Sequence, residues 1–234
     1  MADFLLIHRS CHGAWCWRDV VPPLKARGHA VRALDLPGHG DDQTPPEEIT
    51  SDTFVHTILG AAGPRTVLVG HSLGGMWITL AAEADPGRFA RLVYVAAWVA
   101  RDGISTDDLG NACELDDVGN AMIRNGATFT FSSESHDRIF YPDCPADTTA
   151  FARVQFRPEP TAPLAKAFHL TTRQFKIPSS YVRCTQDRAI LDRVQAELTR
   201  DWPAEDVHTM TCGHLPFFAD PAGVAGILDG IARG

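Results

Sequence analysis

One serine lies in a residue pattern that is typical of an activated nucleophile. Residues 70–74 read Gly-His-Ser-Leu-Gly, which is the G-x-S-x-G pattern of a serine on a tight turn between a strand and a helix. The run 66–70 is rich in β-branched residues and predicts that strand, and the stretch 76–84 predicts the helix. Glycines suit both ends of the pattern because side chains there would collide with the neighbouring strand and helix. We therefore predict that Ser72 is a nucleophile; a plain tight turn is the alternative.

A serine hydroxyl is a poor nucleophile near neutral pH, so it needs a base and an acid that orients the base. In a parallel sheet these groups lie in loops at the carboxyl ends of strands. His214 follows the last predicted strand and Asp187 follows the strand before it, so we predict them as base and acid. The alternatives are a packing or capping histidine and an aspartate that only caps a helix. Asp102, after the fourth strand, is the fallback acid.

Attack by Ser72 on a carbonyl would also require two backbone N–H donors for the oxyanion that forms. Leu73 directly follows the serine and is expected to supply one of them. The loop after the first strand is expected to supply the other, from Ser10. Four histidines that flank the same mouth are expected to brace loops rather than carry protons: His8, His12, His39 and His71.

The rest of the chain alternates strands and helices that would position these groups. Apolar and β-branched runs predict strands at 4–8, 30–34, 66–70, 91–96, 180–184 and 207–210. Helical patterns predict helices at 14–27, 49–61, 76–84, 188–200 and 221–233. This order implies parallel strands joined by right-handed crossovers. We therefore predict an α/β fold with a mostly parallel central sheet flanked by helices.

One long segment breaks the alternation. Residues 100–176 contain no long apolar strand and are rich in acidic and aromatic residues. We predict a mainly helical cap inserted after the fourth strand, with 1–99 and 177–234 forming the core. A disordered acidic insert is the alternative, and the aromatic content argues against it. The acids counted here are Asp107, Asp108, Glu114, Asp116 and Asp117.

Composition limits the partners of the chain. The formal net charge of −8 argues against nucleic acid or an anionic membrane as a partner. No apolar run reaches the roughly 20 residues of a membrane span, and the N-terminus lacks a signal-peptide pattern. The 6 cysteines show neither metal-ligand nor redox spacing. We expect a cytoplasmic protein without a metal, whose partner is a small molecule.

Several segments carry a family resemblance. They are 6–8, 11–17, 33–40, 70–75, 181–187 and 213–218. Together they resemble the α/β-hydrolase branch that holds plant methylesterases and α-hydroxynitrile lyases, and the match is weakest in the cap. The chain order Ser72, Asp187, His214 is also that of α/β-hydrolases. The resemblance implies the α/β-hydrolase fold, cofactor-free chemistry under a helical lid and, often, homodimers.

Two positions bear on the reaction that the resemblance implies. Lyases of this group typically carry Lys directly after the catalytic His, whereas this sequence has Leu215, which favours ester hydrolysis. Esterases of the group typically carry Gly after the first His and lyases carry Thr, whereas this sequence has Arg9. A guanidinium at this position either binds a carboxylate, phenolate or other polar group of the substrate or forms a salt bridge with an acid of the cap.

An apolar pocket is expected beside the serine, with walls from Trp98, Phe129, Phe131 and Leu215, although each of these also suits ordinary core. We therefore predict a carboxylesterase of the methylesterase type that acts on a small to medium apolar or aromatic ester through an acyl-enzyme. One alternative is a lyase, cyclase, decarboxylase or lactone-opening reaction on a secondary metabolite, with Arg9 holding an anionic group. Another is a ligand-binding protein with slow turnover.

Overall fold

The computed structural model describes residues 1–106, 108, 116–171 and 176–234. Asp107 and Glu114, which the cap prediction counted, lie outside the described residues, as does Cys113. None of the helices in these ranges is long and apolar enough to cross a membrane.

A parallel sheet forms the centre of the molecule. Its strands are β1 (Asp3–Ile7), β2 (Ala30–Leu34), β3 (Thr66–His71), β4 (Phe89–Val95), β8 (Ser179–Cys184) and β9 (Val207–Met210). They lie in the order β2-β1-β3-β4-β8-β9, and each neighbouring pair is parallel. Both faces of such a sheet are covered by helices. For this reason every residue of β3 is buried, as is every residue of β1 after Asp3. The predicted parallel sheet is confirmed.

Helices connect these strands. Those of the core are α1 (Val21–Ala26), α2 (Ser51–Ala61), α3 (Gly74–Ala84), Asp192–Leu198, Pro216–Ala219 and Pro221–Arg233. Helix α2 begins with a capping box between Thr50 and Thr53, which satisfies N–H groups of its first turn. Helix α3 is buried over most of its length, because it leaves the serine turn and packs directly against β3.

The helix predicted over 14–27, whose beginning or a kink the prolines at 22 and 23 were expected to mark, begins at these prolines. The structure has a short 3-10 helix at Ala14–Trp17 and a separate helix α1, with Pro22 in the first turn of α1. A proline fits there because the missing N–H would have had no helical partner. The predicted end at Gly28 is correct, since this residue has φ +89, a conformation that glycine adopts without strain.

The cap contains the helices expected of it and also a small sheet that was not predicted. The described helices are Asp116–Ala121, Ser133–Ser135 with the π-helical turn His136–Phe140, and Ala146–Arg153. The sheet is antiparallel, in the order β5 (Met122–Asn125), β6 (Thr128–Phe131) and β7 (Glu159–Pro160). Strands of two to four residues are too short to give a periodic signal in the sequence.

Candidate active site

The serine turn has the strained backbone that its sequence pattern predicts. Ser72 has φ +53, in the left-handed region that residues with a side chain rarely adopt. A Cβ atom added at Gly70 would lie 2.7 Å from the carbonyl oxygen of Gly74. A Cβ atom at Gly74 would lie 2.6 Å from the carbonyl oxygen of His8. The absence of both side chains therefore lets α3 start directly against the end of β1.

Three side chains that are distant in the sequence form a hydrogen-bonded row at the carboxyl ends of β3, β8 and β9. The Nε2 atom of His214 lies 3.0 Å from the Oγ atom of Ser72. The Nδ1 atom of the same imidazole lies 2.8 Å from the Oδ2 atom of Asp187. All three residues are buried, and Ser72 faces a cavity. This geometry allows the imidazole to take the hydroxyl proton while the carboxylate fixes the ring.

The carboxylate of Asp187 is held by several donors besides the imidazole. Its Oδ1 atom accepts hydrogen bonds from the backbone N–H groups of Ala189 at 2.7 Å and Ile190 at 3.0 Å. Gln195 donates from Nε2 to the Oδ2 atom at 3.1 Å. The next helix begins only at Asp192, so Asp187 is not its N-cap residue. The fallback acid, Asp102, instead accepts a hydrogen bond from the backbone N–H of Leu170.

Gln195 is a functional residue that sequence reasoning missed. Its amide is fully buried and also bonds the backbone of β8, accepting from the N–H of Cys184 and donating to its carbonyl. The amide therefore ties the end of β8 to the carboxylate of Asp187. No residue pattern marks a glutamine for this task, since it depends on how Asp192–Leu198 packs against the strand.

Burial sets the protonation of the row. Burial and the nearby Arg9 guanidinium hold the pKa of the His214 imidazole well below its ordinary value. Burial raises the pKa of the Asp187 carboxyl to about 7, against the opposing effect of the N–H groups of Ile190 and Ala189. The imidazole is therefore neutral near pH 7, which is the form that can accept the serine proton.

The histidines around the site brace loops, as the sequence predicts. Each has one ring nitrogen within hydrogen-bond distance of a backbone carbonyl, which assigns an N–H to that nitrogen. The pairs are His8 with Arg9, His12 with Ser10, His39 with Pro37 and His71 with His214, at 2.7 to 3.0 Å.

The loop predicted to form the oxyanion hole is held by the cap. Ser10 and Leu73 both line the cavity beside Ser72. The next residue, Cys11, has φ +60, and its backbone N–H donates to Glu159 Oε2 at 2.8 Å. Glu159 therefore fixes the loop that contains Ser10, although 148 positions of the chain separate Glu159 from Cys11. Sequence analysis missed this residue.

Glu159 also forms a buried ion pair with the core. Its Oε2 atom accepts a hydrogen bond from Nε2 of His39 at 2.8 Å, and both side chains are almost inaccessible. Burial opposes charge on each group, but Glu159 attracts a proton to His39 and raises the pKa of that imidazole. Burial likewise opposes ionisation of Glu159, but His39 holds the pKa of that carboxyl below its ordinary value. Burial and the adjacent His39 lower the pKa of His8 to about 3, so His8 stays neutral.

The substitution Glu159→Gln is expected to lower the free energy of unfolding most in mildly acidic solution. The pKa of His39 is raised in the folded protein, so this group stabilises the fold fully at pH values below 6.5, its pKa in the unfolded chain. That contribution is lost as the pH rises through the folded-state pKa. The pKa of Glu159 is lowered in the folded protein, so this group stabilises the fold fully at pH values above 4.5, its pKa in the unfolded chain. That contribution is lost as the pH falls through the folded-state pKa. Urea unfolding should give a deficit of about 2–3 kcal/mol near pH 5.5 and a smaller one at pH 9.

Glu47→Gln is the matched control, because Glu47 is an exposed acid of the same charge. A deficit for Glu159→Gln that is independent of pH would contradict the ion pair.

A cavity of about 800 Å³ opens at Ser72, between the core and the cap. Three predicted wall residues, Trp98, Phe129 and Phe131, line it, as does Arg9. The prediction for Leu215 is wrong, because this side chain is fully buried and does not line the cavity. It is the N-cap residue of the short helix Pro216–Ala219, and its side chain packs in the hydrophobic core. In the described ranges no group of His, Cys, Asp or Glu residues is suited to hold a metal ion.

Arg9 lies in the cavity wall rather than in a salt bridge. Its side chain is 2% exposed, and its Cζ atom lies 3.7 Å from the centre of the Phe140 ring. The Nη2 atom makes one long contact, 3.5 Å, with the Oγ atom of Ser10. The Nε and Nη1 atoms have no partner in the part of the chain that the structure describes.

Comparison with known protein families agrees with this geometry. The model of the alpha/beta hydrolase family matches residues 4–227, which is nearly the whole chain. The chain belongs to the α/β-hydrolase family. Three features agree with the α/β-hydrolase pattern. They are the parallel sheet, the serine turn after β3 and the chain order Ser72, Asp187, His214.

Relatives of this α/β-hydrolase are esterases. Methylesterase 7 of Arabidopsis thaliana is 29% identical over 250 residues, covering 98% of this chain and 95% of the relative. Esterase PIR7B of Oryza sativa subsp. japonica is 29% identical over 256 residues, with the same coverage of 98% and 95%. The crystal structure of polyneuridine aldehyde esterase matches with a TM-score of 0.88 at 22% identity, covering 99% of this chain and 100% of that one. The proteins that this α/β-hydrolase resembles thus include a methylesterase and other esterases.

Proposed function

We propose that this α/β-hydrolase is a carboxylesterase of the methylesterase type that works through Ser72, His214 and Asp187. The observation that carries the proposal is the continuous row of hydrogen bonds, 3.0 Å from serine to imidazole and 2.8 Å from imidazole to carboxylate. The row opens on a cavity that holds a small to medium ester.

In the acylation step, Ser72 Oγ attacks the ester carbonyl while Nε2 of His214 takes the hydroxyl proton. The resulting imidazolium is stabilised by the carboxylate of Asp187, and it then returns the proton to the departing alcohol. The carbonyl oxygen becomes an oxyanion, which the backbone N–H groups of Leu73 and Ser10 stabilise. Loop bracing by Glu159 keeps Ser10 in place for this task.

In the deacylation step, water replaces the alcohol. The Nε2 atom of His214 takes a proton from the water, whose oxygen attacks the acyl carbonyl. Collapse of the second tetrahedral intermediate breaks the bond to Ser72 Oγ, which regains its proton from the imidazole. The products are a carboxylic acid and the free enzyme.

The cavity walls favour an ester with an apolar or aromatic part. Phe129, Phe131, Phe140 and Trp98 line the space beside Ser72. Aromatic walls bind apolar groups mainly through burial of their surface. The relatives named as methylesterases and esterases support ester hydrolysis on this site.

Trapping of an acyl-enzyme tests the proposal. The protein is mixed rapidly with p-nitrophenyl acetate and with methyl benzoate, quenched in acid and examined by mass spectrometry. An increase in mass by one acyl group on the peptide that contains Ser72, together with a burst of nitrophenol, is expected. Ester hydrolysis with the acyl group on a different residue, or on none, would reject the assignment.

A second candidate function uses the same three residues for a reaction other than ester hydrolysis. It covers C–C cleavage, lactone opening, cyclisation or decarboxylation of a secondary metabolite. The observation that favours it is Arg9, which fills the space beside the serine with a buried charge. A cation there would stabilise an anionic group of such a substrate.

The substitution Arg9→Gly separates the two candidates. If the native reaction is hydrolysis of a neutral ester, removal of the guanidinium leaves kcat/KM for methyl benzoate within about twofold of the wild-type value. If the native substrate is anionic, kcat/KM for neutral esters rises while the native reaction is lost. The measurement compares kcat/KM for neutral esters between the wild type and the variant. Arg200→Gly is the control, because Arg200 is a solvent-exposed arginine outside the cap.

A further inference from the structure

The charged side chains among the described residues that line the cavity are positive, whereas the protein as a whole is negative. The formal net charge of the chain is −8, whereas the described residues that line the cavity include Arg9 and Arg124 and no carboxylate. Arg9 is buried in the wall and Arg124 is exposed. Field lines of a buried charge are focused in a cleft with apolar walls, so this cavity attracts anions more strongly than the surface does.

The guanidinium of Arg9 forms no ion pair with the residues that the structure describes. Removing an ion from water carries a large free-energy cost unless hydrogen bonds and an opposite charge replace the water. Here the Phe140 ring covers one face of the guanidinium at 3.7 Å, but the N–H groups of Nε and Nη1 remain without acceptors. Arginine keeps its charge even when it is buried, so a deprotonated form does not relieve this cost.

Asp187 and Glu159, whose charges both act on Arg9, are hydrogen-bonded to other groups. Glu159 is fully buried, and its Oε2 atom is bonded to the backbone of Cys11 and to the imidazole of His39. A molecule that enters the cavity can supply acceptors for Arg9, whose Nε and Nη1 atoms have none among the described residues. Oγ1 of Thr106 lines the same cavity and likewise has no partner within the described ranges.

We propose that the cavity binds an ester that carries a free carboxylate, and that Arg9 is the receptor of this carboxylate. This inference rests on the proposed esterase function and names its substrate class. Arg9 donates from Nε or Nη1, together with Nη2, to the two oxygens of the carboxylate in the planar arrangement that guanidinium groups favour. The apolar part of the ester packs against the aromatic walls.

Position limits the length of this substrate. Arg9 directly precedes Ser10, whose N–H group is one of the proposed oxyanion donors. The Phe140 ring contacts the guanidinium on one side and lies 5.6 Å from the imidazole of His214, measured between ring centres. The carboxylate and the reacting carbonyl therefore bind close together, as in a half-ester of a short dicarboxylic acid. Hydrolysis converts this half-ester and water into the dicarboxylic acid and an alcohol.

Matched esters test the inference. The pairs are monomethyl glutarate with methyl pentanoate, and monomethyl phthalate with methyl benzoate; each pair differs chiefly in the carboxylate. For the wild type we expect kcat/KM to be about tenfold to a hundredfold higher for the carboxylate-bearing ester of at least one pair, the effect of a charge-assisted hydrogen bond. In Arg9→Gln this preference should disappear, mainly through a higher KM. Arg9→Lys, which keeps the charge, should restore part of it.

Two control variants locate the effect. Arg200→Gln removes the same charge from an exposed ion pair and should leave the preference unchanged. If Arg124→Gln removes the preference and Arg9→Gln does not, the anion binds at the exposed arginine and the assignment to Arg9 is overturned. A wild type that hydrolyses both members of each pair equally well would also overturn it, while leaving the esterase function intact.

A binding measurement separates failure of this inference from failure of the proposed function. Calorimetric titration with glutarate and phthalate is done on the wild type and on Arg9→Gln, and it requires no turnover. Binding that is about tenfold or more weaker in Arg9→Gln supports the carboxylate site even if no ester is hydrolysed. Equal binding by both proteins, or no binding by either, rejects the site.

Discussion

Replacing Ser72 by alanine is expected to reduce kcat for ester hydrolysis by about 10⁶-fold. The hydroxyl of Ser72 is the atom that His214 Nε2 reaches at 3.0 Å, and no acyl-enzyme forms without it. In serine hydrolases the loss of the nucleophile alone costs about as much as the loss of all three residues of the row, because they act as a unit. The measurement is kcat with an activated ester, together with labelling by a fluorophosphonate.

Labelling by the fluorophosphonate should vanish in Ser72→Ala, whereas Ser133→Ala, on the exposed surface of the cap, should be labelled like the wild type. The thermal unfolding midpoint of Ser72→Ala should stay close to that of the wild type, because alanine meets the same backbone strain at φ +53 as serine does. Labelling that persists at full stoichiometry in Ser72→Ala would show that the nucleophile lies elsewhere.

The substitution Asp187→Asn is expected to reduce kcat by about 10⁴-fold while the fold is retained. The surrounding donors determine how an asparagine would sit. Its single carbonyl oxygen has to face the N–H groups of Ala189 and Ile190, which lie 2.7 and 3.0 Å from Oδ1 of the carboxylate. The amide NH₂ group then faces the Nδ1 atom of His214, so that nitrogen becomes the acceptor.

The consequence of this orientation is an imidazole of the wrong tautomer. With Nδ1 accepting, the proton of the ring resides on Nε2, which can then no longer accept the proton of Ser72. The measurement is kcat together with the fluorophosphonate labelling rate, which should both fall. Asp102→Asn is the matched control, since Asp102 accepts a hydrogen bond from the backbone N–H of Leu170, which an asparagine oxygen retains. An equal loss in Asp102→Asn would favour Asp102 as the orienting acid.

The two variants report on different parts of the proposal. Ser72→Ala removes the covalent step, whereas Asp187→Asn leaves every atom of the nucleophile in place and alters only the tautomer of the base. If Ser72→Ala is inactive and Asp187→Asn is not, the serine is the nucleophile but the imidazole is oriented by another group. The Gln195 amide, 3.1 Å from the Asp187 carboxylate, is the next group to change in that case.

The sequence by itself determined the central sheet and the place of the nucleophile. The runs 30–34 and 207–210 have the bounds that the structure gives them. The central strand β3 was predicted because a strand buried on both faces is largely apolar along its length. The turn at Ser72 could be predicted from the sequence because its tight backbone leaves no room for a side chain at positions 70 and 74. The positions of His214 and Asp187 near Ser72 could be predicted because loops at the carboxyl ends of parallel strands meet at one edge of the sheet.

Tertiary structure alone decided how the buried charges of the site are partnered. Glu159 binds Cys11 and His39 across 148 and 120 positions of the chain, and Gln195 holds Asp187. Arg9 lines the cavity, and its Nε and Nη1 atoms have no partner among the described residues. Local patterns report the burial and backbone conformation of a segment. They do not report which distant side chain lies within 3 Å of a carboxylate, because that depends on the packing of the cap on the core. Electrostatic free energy varies steeply over such distances in a medium of low dielectric constant, so these contacts set the chemistry of the site.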